Sequence, residues 1–243
     1  MLNNNVKKKE FMIGHIPSVL WGEASPRVFL YVHGQGGNRE EASFLASIVC
    51  EMGWQVLSFD LPQHGSRAGG AESFDPWHAM PELREILAYA KAQFAHISLY
   101  AISIGAYFSL LSFAEEAFSG CLFLSPVVDM KALIQKMMAQ AQVSEERLRL
   151  EKEIPTADGA VLSWEYWSFV LEHAIASWNN PTRILYGKED TLIDLPWVEE
   201  FSKRFCCTLT IAEGCPHYFH TKEQLETLQK WVESTVNDGF CTP

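Results

Sequence analysis

The segment Leu99-Tyr100-Ala101-Ile102-Ser103-Ile104-Gly105-Ala106-Tyr107 passes from a strand-like stretch into a helix-like one through a single serine. The residues from Ile97 to Ile102 form an apolar run, and small residues stand two positions either side of Ser103, at Ala101 and Gly105. A strand that turns sharply into a helix needs small residues there, because large side chains collide across the turn. The serine at the apex is then held in a strained backbone conformation with its hydroxyl exposed. Taken alone, the motif also fits an ordinary strand-to-helix turn with a capping serine. The flanking elements and three further motifs decide between the two.

Upstream, Arg27-Val28-Phe29-Leu30-Tyr31-Val32 is nearly continuous in apolar residues, which suits a strand buried on both faces of a parallel sheet. It ends in His33-Gly34-Gln35-Gly36-Gly37, and a helix-like pattern follows from Glu40 to Glu51. Trp54 to Phe59 reads as a second such strand, ending in Asp60-Leu61-Pro62-Gln63-His64-Gly65-Ser66. Residues 66–75 are polar and read as a loop. Helical spacing over Pro76 to Phe94 puts Leu83, Ile86, Leu87, Ala90 and Phe94 on one face. Before all of this, Phe11 to Trp21 reads as a strand or hairpin.

Downstream of Ser103 a helix is expected through Phe113 to Ala117, then a strand from Gly120 to Leu124 ending at Ser125-Pro126. The order β-α-β-α-β-α-β predicts a doubly wound, mostly parallel sheet. Functional residues of such sheets gather at the carboxyl ends of the strands, where His33, Ser103 and Ser125 fall. The rhythm then breaks. Asp129 to Gln140 is a methionine-bearing helix candidate, Ser144 a helix cap, and Thr156-Ala157-Asp158-Gly159 a turn. Ser163 to Trp178 is rich in aromatic residues. The span 127–180 therefore reads as an insertion between core strands. Its Met and aromatic side chains mostly pack it to the sheet, with Met137, Trp164 or Trp167 as candidates to wall a substrate pocket. Thr182 to Tyr186 resumes the sheet and leads to Gly187-Lys188-Glu189-Asp190. A helix over Pro196 to Phe205, a strand over Cys207 to Ile211, the loop Glu213-Gly214-Cys215-Pro216-His217 and an amphipathic helix over Lys222 to Val232 close the chain.

A length of 243 residues fits one α/β domain with an insertion, 48% hydrophobic and 20% charged. A formal charge of −11 argues against general nucleic-acid affinity, since phosphates are repelled. No stretch has membrane-spanning length, no signal peptide is read, and the six cysteines lack zinc-site spacing. A cytoplasmic protein with reduced thiols, no membrane partner and no nucleic-acid partner is the expectation.

A serine hydroxyl is a poor nucleophile at neutral pH. It needs a base, and the base needs an acid to fix its tautomer. Ser103, Asp190 and His217 supply these groups, each in a loop directly after an expected core strand. Glu189 and Asp194 compete with Asp190, and His220 with His217. Asp60 and His64 both precede the serine and are read as loop builders, while Cys215 lacks an elbow. The glycine-rich loop after Val32 has neither the dinucleotide G-x-G-x-x-G nor a P-loop Lys-Ser/Thr. Glycines there let a backbone N–H approach a reacting carbonyl. A phosphate-binding loop is the remaining reading of that segment.

Over nearly its full length the chain resembles the α/β-hydrolase superfamily. The resemblance rests on the elbow around Ser103 with Ala101 in place of the first glycine, the His33-Gly34 loop, and the order Ser103, Asp190, His217. The segment from Asp60 to Ser66 is similar to the superfamily's D-x-P-G-H-G-x-S, with Gln63 in place of a glycine and the serine one place early. G-x-x-D at Gly187 to Asp190 favours Asp190 as the acid, leaving Asp194 to cap the next helix. G-x-x-H-x-F at Gly214 to Phe219 favours His217. The resemblance implies a single domain over 1–243 with a helical cap at 127–180. It further implies catalytic Ser103, Asp190 and His217, an oxyanion hole of the Gln35 and Ile104 backbone N–H groups, and neither metal nor organic cofactor. The implied activity is hydrolysis of a small-molecule carboxylic ester or thioester through an acyl-enzyme. A peptidase with the same triad, or a non-catalytic small-ligand-binding member of the fold, are the alternatives.

Overall fold

The computed structural model describes residues 6–157 and 159–241, so Asp158 of the expected 156–159 turn lies outside the described residues. Strands β1 (Lys8–Ile13) and β2 (Ile16–Trp21) form an antiparallel hairpin at one edge of an eight-stranded sheet. The other strands of that sheet are β3 (Arg27–Val32), β4 (Gln55–Phe59), β5 (His96–Ile102), β6 (Cys121–Leu124), β9 (Thr182–Gly187) and β10 (Thr208–Ala212). The spatial order is β1-β2-β4-β3-β5-β6-β9-β10, with every neighbouring pair parallel from β4 to β10. The short strands β7 (Glu153–Pro155) and β8 (Val161–Ser163) pair with each other outside this sheet.

Strand alternation assigns the two faces. Val28, Leu30, Val32, Leu99 and Ala101 pack under α2 (Pro76–Gln93) and α3 (Ile104–Ser112), in a core that also takes in residues of α4 (Met130–Gln140), α6 (Trp164–Glu172) and α7 (Leu195–Arg204). Phe29, Tyr31, Tyr100 and Leu122 point to the opposite face, covered by α1 (Ala42–Val49) and α8 (Lys222–Asn237). Helix α8 begins with a complete capping box of Thr221 and Gln224, which satisfies two otherwise orphaned backbone donors.

Some elements depart from the sequence reading. Helix α3 stops at Ser112 rather than continuing past Phe113. The chain beyond it is tied down by Asn180, whose side chain accepts from the Phe118 N–H at 2.8 Å and donates to the Glu116 carbonyl at 2.9 Å. The segment between β6 and β9 holds α4, α5 (Glu145–Glu151), the β7–β8 hairpin and α6. Asp129 caps α4 and Ser144 caps α5, as their spacing predicts. Asp194 occupies the N-cap position of α7 but makes no capping bond, because its carboxylate pairs with Lys136 at 2.7 Å.

Strand order reverses between β3 and β5, which lie side by side while β4 lies beyond β3. The crevice at such a switch point is where open α/β sheets place ligands. The register pairs Val32 with Ala101, so the glycine-rich loop and Ser103 leave the sheet as neighbours.

Candidate active site

Ser103 turns the chain from β5 into α3 at φ 50°, ψ −122°, a conformation that costs an L-residue about 1–3 kcal/mol. Gly105 makes the turn possible: a Cβ there would stand 2.4 Å from the His33 carbonyl oxygen and 2.8 Å from that of Val32. Gly34 approaches the serine from the other side, its own virtual Cβ 3.3 Å from the Ser103 Cβ.

The acid and histidine loops are held together by backbone. Lys188 N–H donates to the Ala212 carbonyl and Glu189 N–H to that of Cys215, both at 2.9 Å. Gly187 permits this approach, since a Cβ there would lie 2.4 Å from the Cys215 and Pro216 carbonyl oxygens. Asp190 is fully buried at its side chain. Its Oδ1 accepts from the N–H groups of Leu192 (2.8 Å) and Ile193 (2.9 Å), and its Oδ2 lies 2.6 Å from His217 Nδ1. An ionised carboxylate only accepts, so His217 carries its proton on Nδ1 and presents a bare Nε2. That Nε2 stands 2.9 Å from Ser103 Oγ. The competitors are elsewhere. Glu189 and His220 are exposed, and Asp194 belongs to Lys136. Cys215 is buried, and desolvation pushes its thiol pKa up.

Gln35 and Ile104, the expected oxyanion donors, flank Ser103, and neither backbone N–H is used by the protein's own hydrogen bonds among the described residues. Two buried histidines hold the loop that carries Gln35. His33 Nδ1 donates to the Gly34 carbonyl at 2.7 Å, and its Nε2 accepts from the Leu61 N–H at 3.0 Å. Burial lowers its pKa to about 4 and keeps it neutral, as that pair of bonds requires. His64 donates from Nδ1 to the Pro62 carbonyl and accepts at Nε2 from the Gly36 N–H at 2.9 Å.

The same loop is anchored by Asp60, a carboxylate with no exposure that accepts from the N–H groups of Arg39 and Ser66 and pairs with the Arg39 guanidinium. The bonds of Asp60 and His64 thus go to the loop segments Gly36–Arg39 and Pro62–Ser66. The sequence reading did not reach the bond from Gly36 to His64, whose only signal was the histidine in the Asp60–Ser66 segment.

A cleft of about 510 Å³ opens at Ser103 and His217, between the Gly34–Gly37 loop with α1 on one side and Tyr218 to Leu228 on the other. Its floor is formed by Tyr31, Tyr100 and Ile102. Met137, Trp164 and Trp167 do not line it. Trp167 is 2% exposed in the core, Trp164 packs against that core, and Met137 borders a separate depression. Among the described residues, one group of potential metal ligands occurs, His15 with Glu72 and Glu82. The Arg67 guanidinium bridges both carboxylates at 2.6 Å, which identifies a salt-bridge network. Among the same residues, no helix is long and apolar enough to cross a membrane.

No protein-family model and no curated protein matches the chain. Solved structures do. Est1E from Butyrivibrio proteoclasticus with bound ferulic acid is 19% identical, with a TM-score of 0.75 over 95% of this chain and 98% of that one. Alpha/beta hydrolase domain-containing protein 10 from mouse is 12% identical, with a TM-score of 0.76 over 96% and 99%. The Pyrococcus furiosus esterase Pf2001 is 18% identical, with a TM-score of 0.66 over 96% and 91%. The structural neighbours are thus esterases and hydrolases, and the similarity runs from one end of the sheet to the other. The chain has the α/β-hydrolase fold.

Proposed function

We propose that the protein is a serine hydrolase that cleaves a carboxylic ester or thioester of a small or medium acyl substrate. The observation that carries this reading is the hydrogen-bonded relay from Ser103 Oγ through His217 to the buried Asp190. His217 Nε2 takes the hydroxyl proton as Ser103 attacks the carbonyl carbon, and Asp190 stabilises the imidazolium. The N–H groups of Gln35 and Ile104 receive the negative charge on the carbonyl oxygen, each worth about 10²–10³ in rate. His217 then protonates the leaving alcohol or thiol, and afterwards draws a proton from water to release the acid. The six free cysteines suit a reducing compartment, which supports a cytoplasmic location.

Intact mass after exposure to a fluorophosphonate tests the reading. The wild type gains one adduct, and Ser103→Ala and His217→Ala variants gain none. Absence of labelling in a folded wild type removes the hydrolase reading. Graded ester, thioester and amide panels then separate esterase from peptidase.

A further inference from the structure

The cleft beside Ser103 has a composition of its own. Tyr31, Phe44, Tyr100, Tyr218 and Phe219 line it, and no lysine or arginine does. The rings of Tyr31 and Tyr100 are stacked at 5.5 Å with 6° between their planes. Both residues are nearly inaccessible, at 3% and 2%, and neither hydroxyl has a hydrogen-bond partner among the described residues. Their hydroxyls stay protonated because burial pushes both pKa values above the ordinary range.

One carboxylate, that of Glu41, borders the same cleft. The adjacent Glu40 is paired with Lys8 at 3.2 Å. Glu41 is exposed and has no ion-pair partner among the described residues. An exposed carboxylate with no paired cation beside it attracts cations, and aromatic faces attract them through their quadrupoles. An anionic group entering here would meet Glu41 with nothing to compensate it.

We propose that this cleft binds the part of the substrate that carries an organic cation, a protonated amine or quaternary ammonium group on a small apolar or aryl body. Glu41 supplies the opposite charge, the exposed ring of Tyr218 and the half-buried ring of Phe44 supply cation-binding faces, and the Tyr31 and Tyr100 hydroxyls supply acceptors for a protonated amine. The inference rests on the hydrolase reading for its connection to turnover, but the binding preference stands apart from it.

The test uses benzyltrimethylammonium, benzyl alcohol and benzenesulfonate as competitors of fluorophosphonate labelling at Ser103. The ammonium ion is expected to slow labelling at a concentration at least tenfold below that of benzyl alcohol, with no protection from benzenesulfonate. In Glu41→Gln the preference for the ammonium ion over the alcohol falls below threefold. Raising ionic strength narrows the same ratio in the unaltered protein, which covers the case of a variant that does not fold. Equal protection by alcohol and ammonium, or a preference unchanged in folded Glu41→Gln, overturns the proposal. If the wild type is not labelled at all, the hydrolase reading fails. Calorimetry with the same three compounds then decides the cleft by the same tenfold criterion.

Discussion

Replacing Asp60 with asparagine isolates the electrostatic foundation of the loop beside Ser103. The carboxylate is wholly buried and receives the backbone N–H groups of Arg39 and Ser66 at 2.9 Å, the Ser66 hydroxyl at 3.1 Å and the Arg39 guanidinium. Asparagine keeps the shape but has one acceptor oxygen, so its NH₂ group faces a donor and Arg39 loses its counter-charge. The Arg39 side chain is 18% exposed and recovers little of that loss from water. Breaking a buried ion pair on one side costs about 3–5 kcal/mol. At roughly 2–4 °C per kcal/mol for a chain of this size, the expected fall in Tm is roughly 6–20 °C. Calorimetric or circular-dichroism melting of Asp60→Asn, Arg39→Met and the double variant gives the magnitude and the coupling. The double variant should recover part of the loss, because it leaves no uncompensated charge. A Tm within about 2 °C of wild type for Asp60→Asn, or strictly additive effects in the double variant, would show that the pair carries no such energy.

Two further expectations concern the same corner of the molecule. Gly105→Ala forces a methyl against the His33 and Val32 carbonyl oxygens and pushes the Gly34–Gly37 loop off the serine, so labelling should slow at least tenfold, on the order of 1–3 kcal/mol of strain. Gly69→Ala, at φ 75° with nothing near its virtual Cβ, is the control for backbone strain without a clash and should label at the wild-type rate. His33 adds a pH dependence. Its unfolded value of 6.5 is lowered to about 4 by burial, so the unfolded chain takes up a proton that the native state refuses. Stability is then lost as pH falls from about 6.5 to about 4, by about 3 kcal/mol across that window. Urea midpoints of the wild type should fall more steeply with acid than those of His33→Gln, and parallel slopes would refute the assignment.

The parts of the fold that were legible in the sequence are those fixed by local chemistry. The run from Arg27 to Val32 could only be buried on both faces, and the spacing Ala101-x-Ser103-x-Gly105 follows from sterics within one turn. Gln63 shows a local rule broken and repaired. It sits at φ 63°, where a glycine costs nothing. Its side chain compensates by donating to the Gly70 and Glu72 carbonyls and accepting from the Gly69 N–H, which closes the 66–75 loop. What escaped the sequence was set by partners far along the chain. Asp194 reads as a helix cap until Lys136, 58 positions earlier, takes its carboxylate.

The cleft beside Ser103 is likewise set by distant partners. The aromatic residues between Ser163 and Trp178 read mostly as packing, with Trp164 and Trp167 as candidates to wall a pocket. Burial had a prior claim on several of those side chains, since Trp167 and Trp178 are each 2% exposed and fill the core under the sheet. The aromatics that do line the cleft are partly in the sheet itself. Strand alternation turns Tyr31 and Tyr100 onto the face opposite Leu30 and Leu99, and parallel register sets them side by side. A tyrosine in an otherwise aliphatic buried strand brings a hydroxyl that needs a partner. Two of them at paired positions, one strand apart at the switch point, mark a face that the helices do not fully seal. Glu41 borders the cleft on that face, so a group entering there meets one carboxylate and neither lysine nor arginine.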